Sequence, residues 1–194
     1  MAKEESALKV IIVLVLIAFF SAFLLAYVNK VTSGPIEENK RAETKKAVGI
    51  VLNGLENYTF PEEPVKAQID NSPAEYFPAK SEDGSIIGYA IIVKAPNGFS
   101  GDFDLMVGVS AGGKVIDTYV LEHKETPGLG DNMRKEGFKS QFRGRTLDNT
   151  NWQVTKDGGD IDALTAATIT SRAFTAGVKR ALMLFKKLKE EGNV

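Results

Sequence analysis

Residues 162–171 read Asp-Ala-Leu-Thr-Ala-Ala-Thr-Ile-Thr-Ser, so four hydroxyls and one carboxylate fall within ten positions. The small pair Ala166-Ala167 separates Thr165 from Thr168, and a periodic apolar segment follows at once. On residue types alone this is a loop feeding a helix, with Thr170 or Ser171 as N-cap. A second stretch, residues 122–131, reads Glu-His-Lys-Glu-Thr-Pro-Gly-Leu-Gly-Asp. Its proline and two glycines make a rigid loop that admits close approach. Taken alone, it reads equally well as an ordinary strand-to-helix turn.

Composition removes several chemistries. The chain of 194 residues is long enough for one domain plus an anchor. A net charge of −1 gives no nucleic-acid footprint. The absence of cysteine excludes disulfides, iron–sulfur clusters, thioether haem attachment and thiol catalysis. One histidine cannot build a poly-His metal site, and His123, at a strand end, reads as structural rather than as an acid or base. A redox role would therefore use an organic cofactor.

The two stretches together resemble the FMN-binding domain family shared by the G subunit of the Rnf ion-translocating oxidoreductase complex and the C subunit of the sodium-translocating NADH:quinone reductase. That family's flavinylation motif runs Asp, two spacers, Ser or Thr, usually Gly, then Ala-Thr. Here it falls on Asp162, Leu164 within the spacer, Thr165, Ala166 in place of Gly, Ala167 and Thr168. The resemblance implies FMN esterified through its phosphate to Thr168 by a flavin transferase. Thr165 would belong to what the transferase reads, and Thr170 would lie beside the attached group. If the backbone at position 166 needs φ > 0, Ala pays a steric cost that Gly avoids. A phosphodiester on Thr168 carries about one negative charge and would sit at the positive end of the following helix. The family also carries Glu-Thr-Pro-Gly-Leu-Gly, here Glu125, Thr126, Pro127, Gly128, Leu129 and Gly130. The resemblance implies that this loop lines the flavin, with backbone N–H groups near the flat ring and Glu125 and Thr126 hydrogen-bonding its edge.

Other elements must position these residues. Residues 10–28 are apolar except for Ser21 and Tyr27; at about 1.5 Å per residue they span roughly 29 Å, one bilayer core. A cleaved signal peptide has a shorter apolar core and an A-x-A-like site, and none follows Val28. A retained anchor is expected over residues 1–31. Residues 32–75 are expected to form a linker with turn chemistry at Thr32-Ser33-Gly34-Pro35, a helix over 36–55 and a loop over 57–72. The FMN-binding domain is expected over 76–194. Its strands fall at 76–80, 86–95, 103–110 and 114–121, an antiparallel meander with turns at Glu82-Asp83-Gly84-Ser85, Pro96-Asn97-Gly98 and Ala111-Gly112-Gly113. A short amphipathic helix follows at 132–142, then a basic Arg143-Gly144-Arg145, which is a solvated turn or a contact for a phosphate or partner. A strand at 152–155, a turn at Lys156-Asp157-Gly158-Gly159-Asp160 and a closing helix over 172–190 complete the chain.

The reading is an α+β domain, antiparallel sheet with packed helices, behind a single N-terminal transmembrane helix. A bare count of Lys3 and Lys9 against Lys30, Lys40, Arg41, Lys45 and Lys46 puts the domain in the cytoplasm. That count weakens for long translocated domains, and the resemblance implies an extracytoplasmic domain on the inner or plasma membrane. The chain has no Gly-rich NAD fingerprint and no cluster ligands. The implied function is electron transfer by covalent FMN within a membrane complex that couples ferredoxin and NAD chemistry to sodium or proton translocation. Other subunits would hand over and remove the electrons, with no catalytic side chain, no metal and no stand-alone catalysis. The compact loop and short chain favour the Rnf member of the family. The quinone-reductase member and a non-redox membrane-anchored scaffold are the alternatives.

Overall fold

The computed structural model describes residues 2–69 and 72–191. Asp70 and Asn71, within the segment expected as loop, lie outside the described residues, as do Met1 and residues 192–194. The chain forms two compact units, Met1–Glu43 and Thr44–Val194.

The first unit is helical. Helix α1 (Ala2–Val51) contains a stretch long and apolar enough to cross a membrane. Residues 10–28 are helical throughout, with exposed side chains. The expected linker at 32–35 is not a turn, because α1 runs through it with Pro35 inside. Thr32 and Ser33 instead donate back to the carbonyls of Val28 (2.8 Å) and Lys30 (3.3 Å). Hydroxyls that bond to the preceding turn fit a helix interior, and there Pro35 forgoes one main-chain bond and sets its ring against the carbonyl four residues earlier.

The second unit is an antiparallel sheet with a helix on one face. Strand β1 is Tyr58–Thr59, β2 Val65–Ile69, β3 Ser72–Ser81, β4 Ile86–Ala95, β5 Phe103–Ser110 and β6 Val115–Glu122. The order is β1-β3-β4-β5-β6, with β2 also on β3. The meander of the last four strands follows the expected pattern. The loop expected over 57–72 carries β1 and β2, and β3 starts earlier than position 76. Prolines obscured this. Pro73 precedes the β4 ladder, which begins at Ala74↔Val93. Pro78 falls between the β2 pairing, which ends at Tyr76, and the β1 pairing, which begins at Lys80. Both sit where a missing N–H breaks no ladder bond on that side.

Side chains alternate across β4. Tyr89, Ile91 and Val93 enter one core and Ala90 the other. Helix α3 (Thr168–Glu190) covers the first face with Phe174, Val178, Ala181, Leu182, Phe185 and Leu188, all buried at helical spacing. Each large apolar side chain among them contributes roughly 1.5–3 kcal/mol. Gly177 lets the helix close on the sheet: a Cβ there would lie 2.9 Å from that of Ala95. Phe138, Phe142 and Trp152 pack beneath α3, with Phe142 and Phe174 ring centroids 4.9 Å apart. The opposite face carries Ala47, Val48, Val51 and Leu52.

Between β6 and α3 the chain is irregular. The helix expected over 132–142 is divided into 3-10 turns at Gly130–Arg134 and Ser140–Phe142 around a single α-turn, α2 (Glu136–Lys139). The strand expected over 152–155 reduces to one bridge, Val154↔Ile161, followed by a 3-10 turn at Thr155–Asp157.

Candidate functional site

The two loops that drew notice in the sequence meet. A cleft of about 300 Å³ is lined by Glu125, Thr126, Leu129 and Gly130 from one, by residues 166–170 from the other, and by Phe99. Phe99, Leu129 and Ile169 are 68%, 43% and 47% exposed and give the cleft an apolar rim. Phe99 escaped the sequence reading. Its one signal was an aromatic residue just outside a strand, beside the Pro96-Asn97-Gly98 turn.

Glu125 organises the walls. Its buried carboxylate accepts the Ser100 N–H at 3.2 Å and the Thr170 hydroxyl at 2.9 Å. One side chain thus ties together the loop bearing Phe99, its own loop and the first turn of α3. Each carboxylate oxygen accepts one hydrogen bond from the protein, which fixes the Glu125 side chain in the cleft wall. Gly130 is needed beside it, because a Cβ there would fall 2.2 Å from Glu125 Oε2. Gly128 lies outside the cleft wall. Its φ of 78° turns the loop, and its carbonyl accepts from Asn132 Nδ2 at 2.6 Å. His123 spans the loop, accepting the Glu125 N–H on Nδ1 (3.2 Å) and meeting Asp131 through Nε2 (3.3 Å). Those contacts make it a brace.

The threonine stretch is built by its own hydrogen bonds. Ala167 occupies the N-cap of α3 without a side-chain cap, and Thr168 is the first helical residue. The N-cap role expected of Thr170 or Ser171 is therefore not theirs. Both are buried inside the helix, where Ser171 Oγ donates to the Ala167 carbonyl (3.0 Å) and accepts the Leu164 N–H (2.9 Å). A hydroxyl one turn into a helix can brace a neighbouring loop rather than cap the helix: Ser171 braces the segment before α3, and Thr170 braces the Glu125 loop. Ala166 has φ of 59°. Among the described residues the other non-glycine residues with positive φ are Asn57 and Asn97, a type that tolerates this region. Ala does not, at a cost of roughly 1–2 kcal/mol.

Thr168 lines the cleft and is half-buried. Lys156 Nζ donates to its Oγ1 at 3.0 Å. The sequence reading missed Lys156, having placed it in a turn. Next to it, Asp157 takes two bonds from Arg172, at 2.6 and 2.8 Å, and the hydrogen bond from that guanidinium lowers the Asp157 carboxyl below its ordinary pKa.

Asp162, Leu164 and Thr165 face elsewhere. With Gly137, Phe138, Gln141 and Ala163 they line a second, more open cleft of about 280 Å³. Gln141 pins the Asp162 backbone from both sides, at 2.8 and 3.2 Å. Arg143 and Arg145, expected in a solvated turn or on a phosphate, are engaged in the fold. Arg143 pairs with Asp117 (2.8 Å) and Glu136, while Arg145 bonds the carbonyls of Gln141 and Asp160. Burial alone would raise the Asp117 carboxyl. The Arg143 and Thr118 hydrogen bonds and the Lys139 and Arg143 charges outweigh that and hold it below its ordinary range.

The chain is similar to known proteins over most of its length. The family model described as FMN-binding domain matches residues 98–183, from the Phe99 loop through most of α3. A protein of Shewanella piezotolerans, named as the G subunit of the ion-translocating oxidoreductase complex, is 32% identical, over 97% of this chain and 93% of its own. The protein of that name from Shewanella baltica is 36% identical, over 89% and 86%. That from Aliivibrio fischeri reaches 44% over 57% and 55%. The crystal structure of Shewanella oneidensis NqrC aligns with a TM-score of 0.47 at 20% identity, covering 73% of each chain.

Proposed function

The chain belongs to the family of G subunits of ion-translocating oxidoreductase complexes, and on that premise we propose that it holds FMN by a phosphoester to Thr168 and carries electrons within a membrane complex. The observation that supports this most is the convergence of the Glu125 and Thr168 loops on one cleft that includes Phe99. The residues present fit the group. An apolar rim suits an isoalloxazine ring, and a half-buried hydroxyl beside a lysine and an uncapped helix start suits an ester phosphate. Bound FMN supplies the redox chemistry by accepting and releasing electrons. The protein's residues hold and orient it: Leu129 and Ile169 border it, Glu125 and Thr170 fix the walls, and the Gly130 backbone gives it room. The ester itself only prevents dissociation.

Maturation would require a flavin transferase. Asp162 and Thr165, on the second cleft, are the side chains it would read. Residues 10–28 would cross the inner or plasma membrane once, because lipid is the favourable surroundings for so long an exposed apolar helix. The domain would face away from the cytoplasm. Electrons would come from and go to other subunits, since this chain has no cysteine for clusters. Coupling of ferredoxin and NAD chemistry to sodium or proton movement would belong to the assembly.

Expression with and without a flavin transferase tests the reading. With the transferase, the denatured full-length chain should give a gel band that fluoresces under ultraviolet light and a mass increase matching one FMN. A colourless chain of unaltered mass under both conditions would favour a non-redox scaffold. A reporter active only outside the cytoplasm, fused after Val194, should be active; activity of a cytoplasm-only reporter there would reverse the orientation.

A further inference from the structure

The hydroxyl of Thr168 is the meeting point of positive groups that have no anion. Lys156 Nζ donates to Thr168 Oγ1 at 3.0 Å, and among the described residues it makes no ion pair with a carboxylate. Its neighbour Asp157 is occupied by Arg172 through two short bonds. That clamp fixes the Thr155–Asp157 turn against the second turn of α3, and so fixes where the lysine stem begins. The first turn of α3 has no acidic residue, and Ala167 at its N-cap offers no oxygen to the free N–H groups. Arg143 and Arg145 are held by Asp117, Glu136 and main-chain carbonyls, and Arg172 holds Asp157. An exposed lysine bonded to one neutral hydroxyl scarcely offsets the rotamer freedom it gives up. The same ammonium beside a phosphate makes a charge-assisted bond, and its three donors can reach the ester's unbridged oxygens.

We propose that Lys156 is the counter-cation of the phosphodiester on Thr168, a positioning residue that holds the phosphate against the start of α3 and so sets how the flavin enters the cleft. This rests on the attachment at Thr168 proposed above. No bond is made or broken by the lysine. It contributes charge and direction after attachment, and before it a pre-aligned hydroxyl.

The test uses the full-length flavinylated chain in detergent, after peptide mapping has located the FMN. Phosphorus NMR and flavin fluorescence anisotropy are compared for the unaltered chain, Lys156→Gln and Lys156→Arg, at low and high salt. The Gln variant should displace the phosphodiester resonance and lower the anisotropy, and the Arg variant should restore both. Added salt should move the unaltered chain toward the Gln variant and leave that variant where it is, because screening weakens only a charged partner. If the Gln variant accepts no flavin while the Arg variant does, the requirement for charge stands. An unmoved resonance in the Gln variant, equal displacement in both variants, or loss of attachment in both would overturn the proposal while leaving Thr168 as the attachment residue. FMN mapped to another residue would instead overturn the Thr168 reading, and this proposal with it.

Discussion

The cleft lined by residues 166–170 and the cleft lined by residues 162–165 share one loop but are built on different terms. The first draws on segments far apart in sequence, with Phe99, Glu125 and Thr170 tied through one buried carboxylate. The second is local: Gln141 pins the Asp162 main chain, and the α2 segment forms the far wall. A wall assembled from distant parts can hold a ligand in one orientation. A shallow, open surface with an exposed carboxylate suits brief recognition by another protein. The short motif is thus divided between the two, with Thr168 on the first cleft and Asp162 and Thr165 on the second.

The largest expected effect separates the two sides outright. Thr168→Ala should abolish covalent FMN while shifting stability by less than about 1 kcal/mol, as expected for a single hydroxyl; intact mass and thermal melting check both halves. Asp162→Ala and Thr165→Ala should slow attachment without moving it. Retained FMN in the Thr168 variant would dissolve the division.

Glycines sharpen the contrast. Gly130→Ala places a Cβ 2.2 Å from Glu125 Oε2 and should destabilise the domain by about 1–3 kcal/mol. Gly137→Ala, on the wall of the second cleft, meets nothing within 4 Å, and should be neutral or stabilise α2 by up to about 1 kcal/mol. Denaturant melts of the two variants should differ in sign or nearly so. Equal effects would mean the first cleft is no more tightly built than the second.

Acid should loosen the second wall. Asp117 on β6 holds Lys139 and Arg143 of the α2 segment, and its folded pKa lies below its unfolded one. Its contribution is complete above the unfolded value of about 3.9 and is lost as pH falls through the lowered folded value. Melting temperature should therefore fall across that acidic window, and Asp117→Asn should flatten the fall. At neutral pH that variant should lose about 1.5–3 kcal/mol, the range for hydrogen bonds to charged groups.

The smallest effect concerns the loop both clefts share. Ala166→Gly should stabilise the domain by about 0.5–1 kcal/mol, since φ of 59° strains Ala and not Gly. A loss of stability would show that the methyl packs in a way that outweighs the strain.

How far the sequence went can be judged from these same residues. The strands 86–95 and 103–110 announced themselves by β-branched runs between turns, and α3 by its apolar spacing. The motif pair pointed to Thr168 and Glu125 because both lie in short contiguous patterns. β2 was hidden in a Pro- and Glu-rich stretch that local reading assigns to loop, and Pro73 hid the start of β3, which only strand register explains. Phe99 and Lys156 were missed because each reaches the cleft from a separate turn, and no spacing along the chain encodes that meeting. Thr170 and Ser171 were read as caps because their residue type suits that role. Tertiary partners, Glu125 and the Leu164 N–H, took their oxygens instead.

The central claim, that Thr168 rather than Thr165, Thr170 or Ser171 carries the cofactor, is met most directly by peptide mass mapping of the full-length chain expressed with a flavin transferase. The FMN mass is expected on Thr168 alone, because Thr170 is committed to Glu125, Ser171 to the Leu164–Ala167 loop, and Thr165 to the opposite cleft. Fragment ions that place the FMN on Thr165, Thr170 or Ser171 would contradict it.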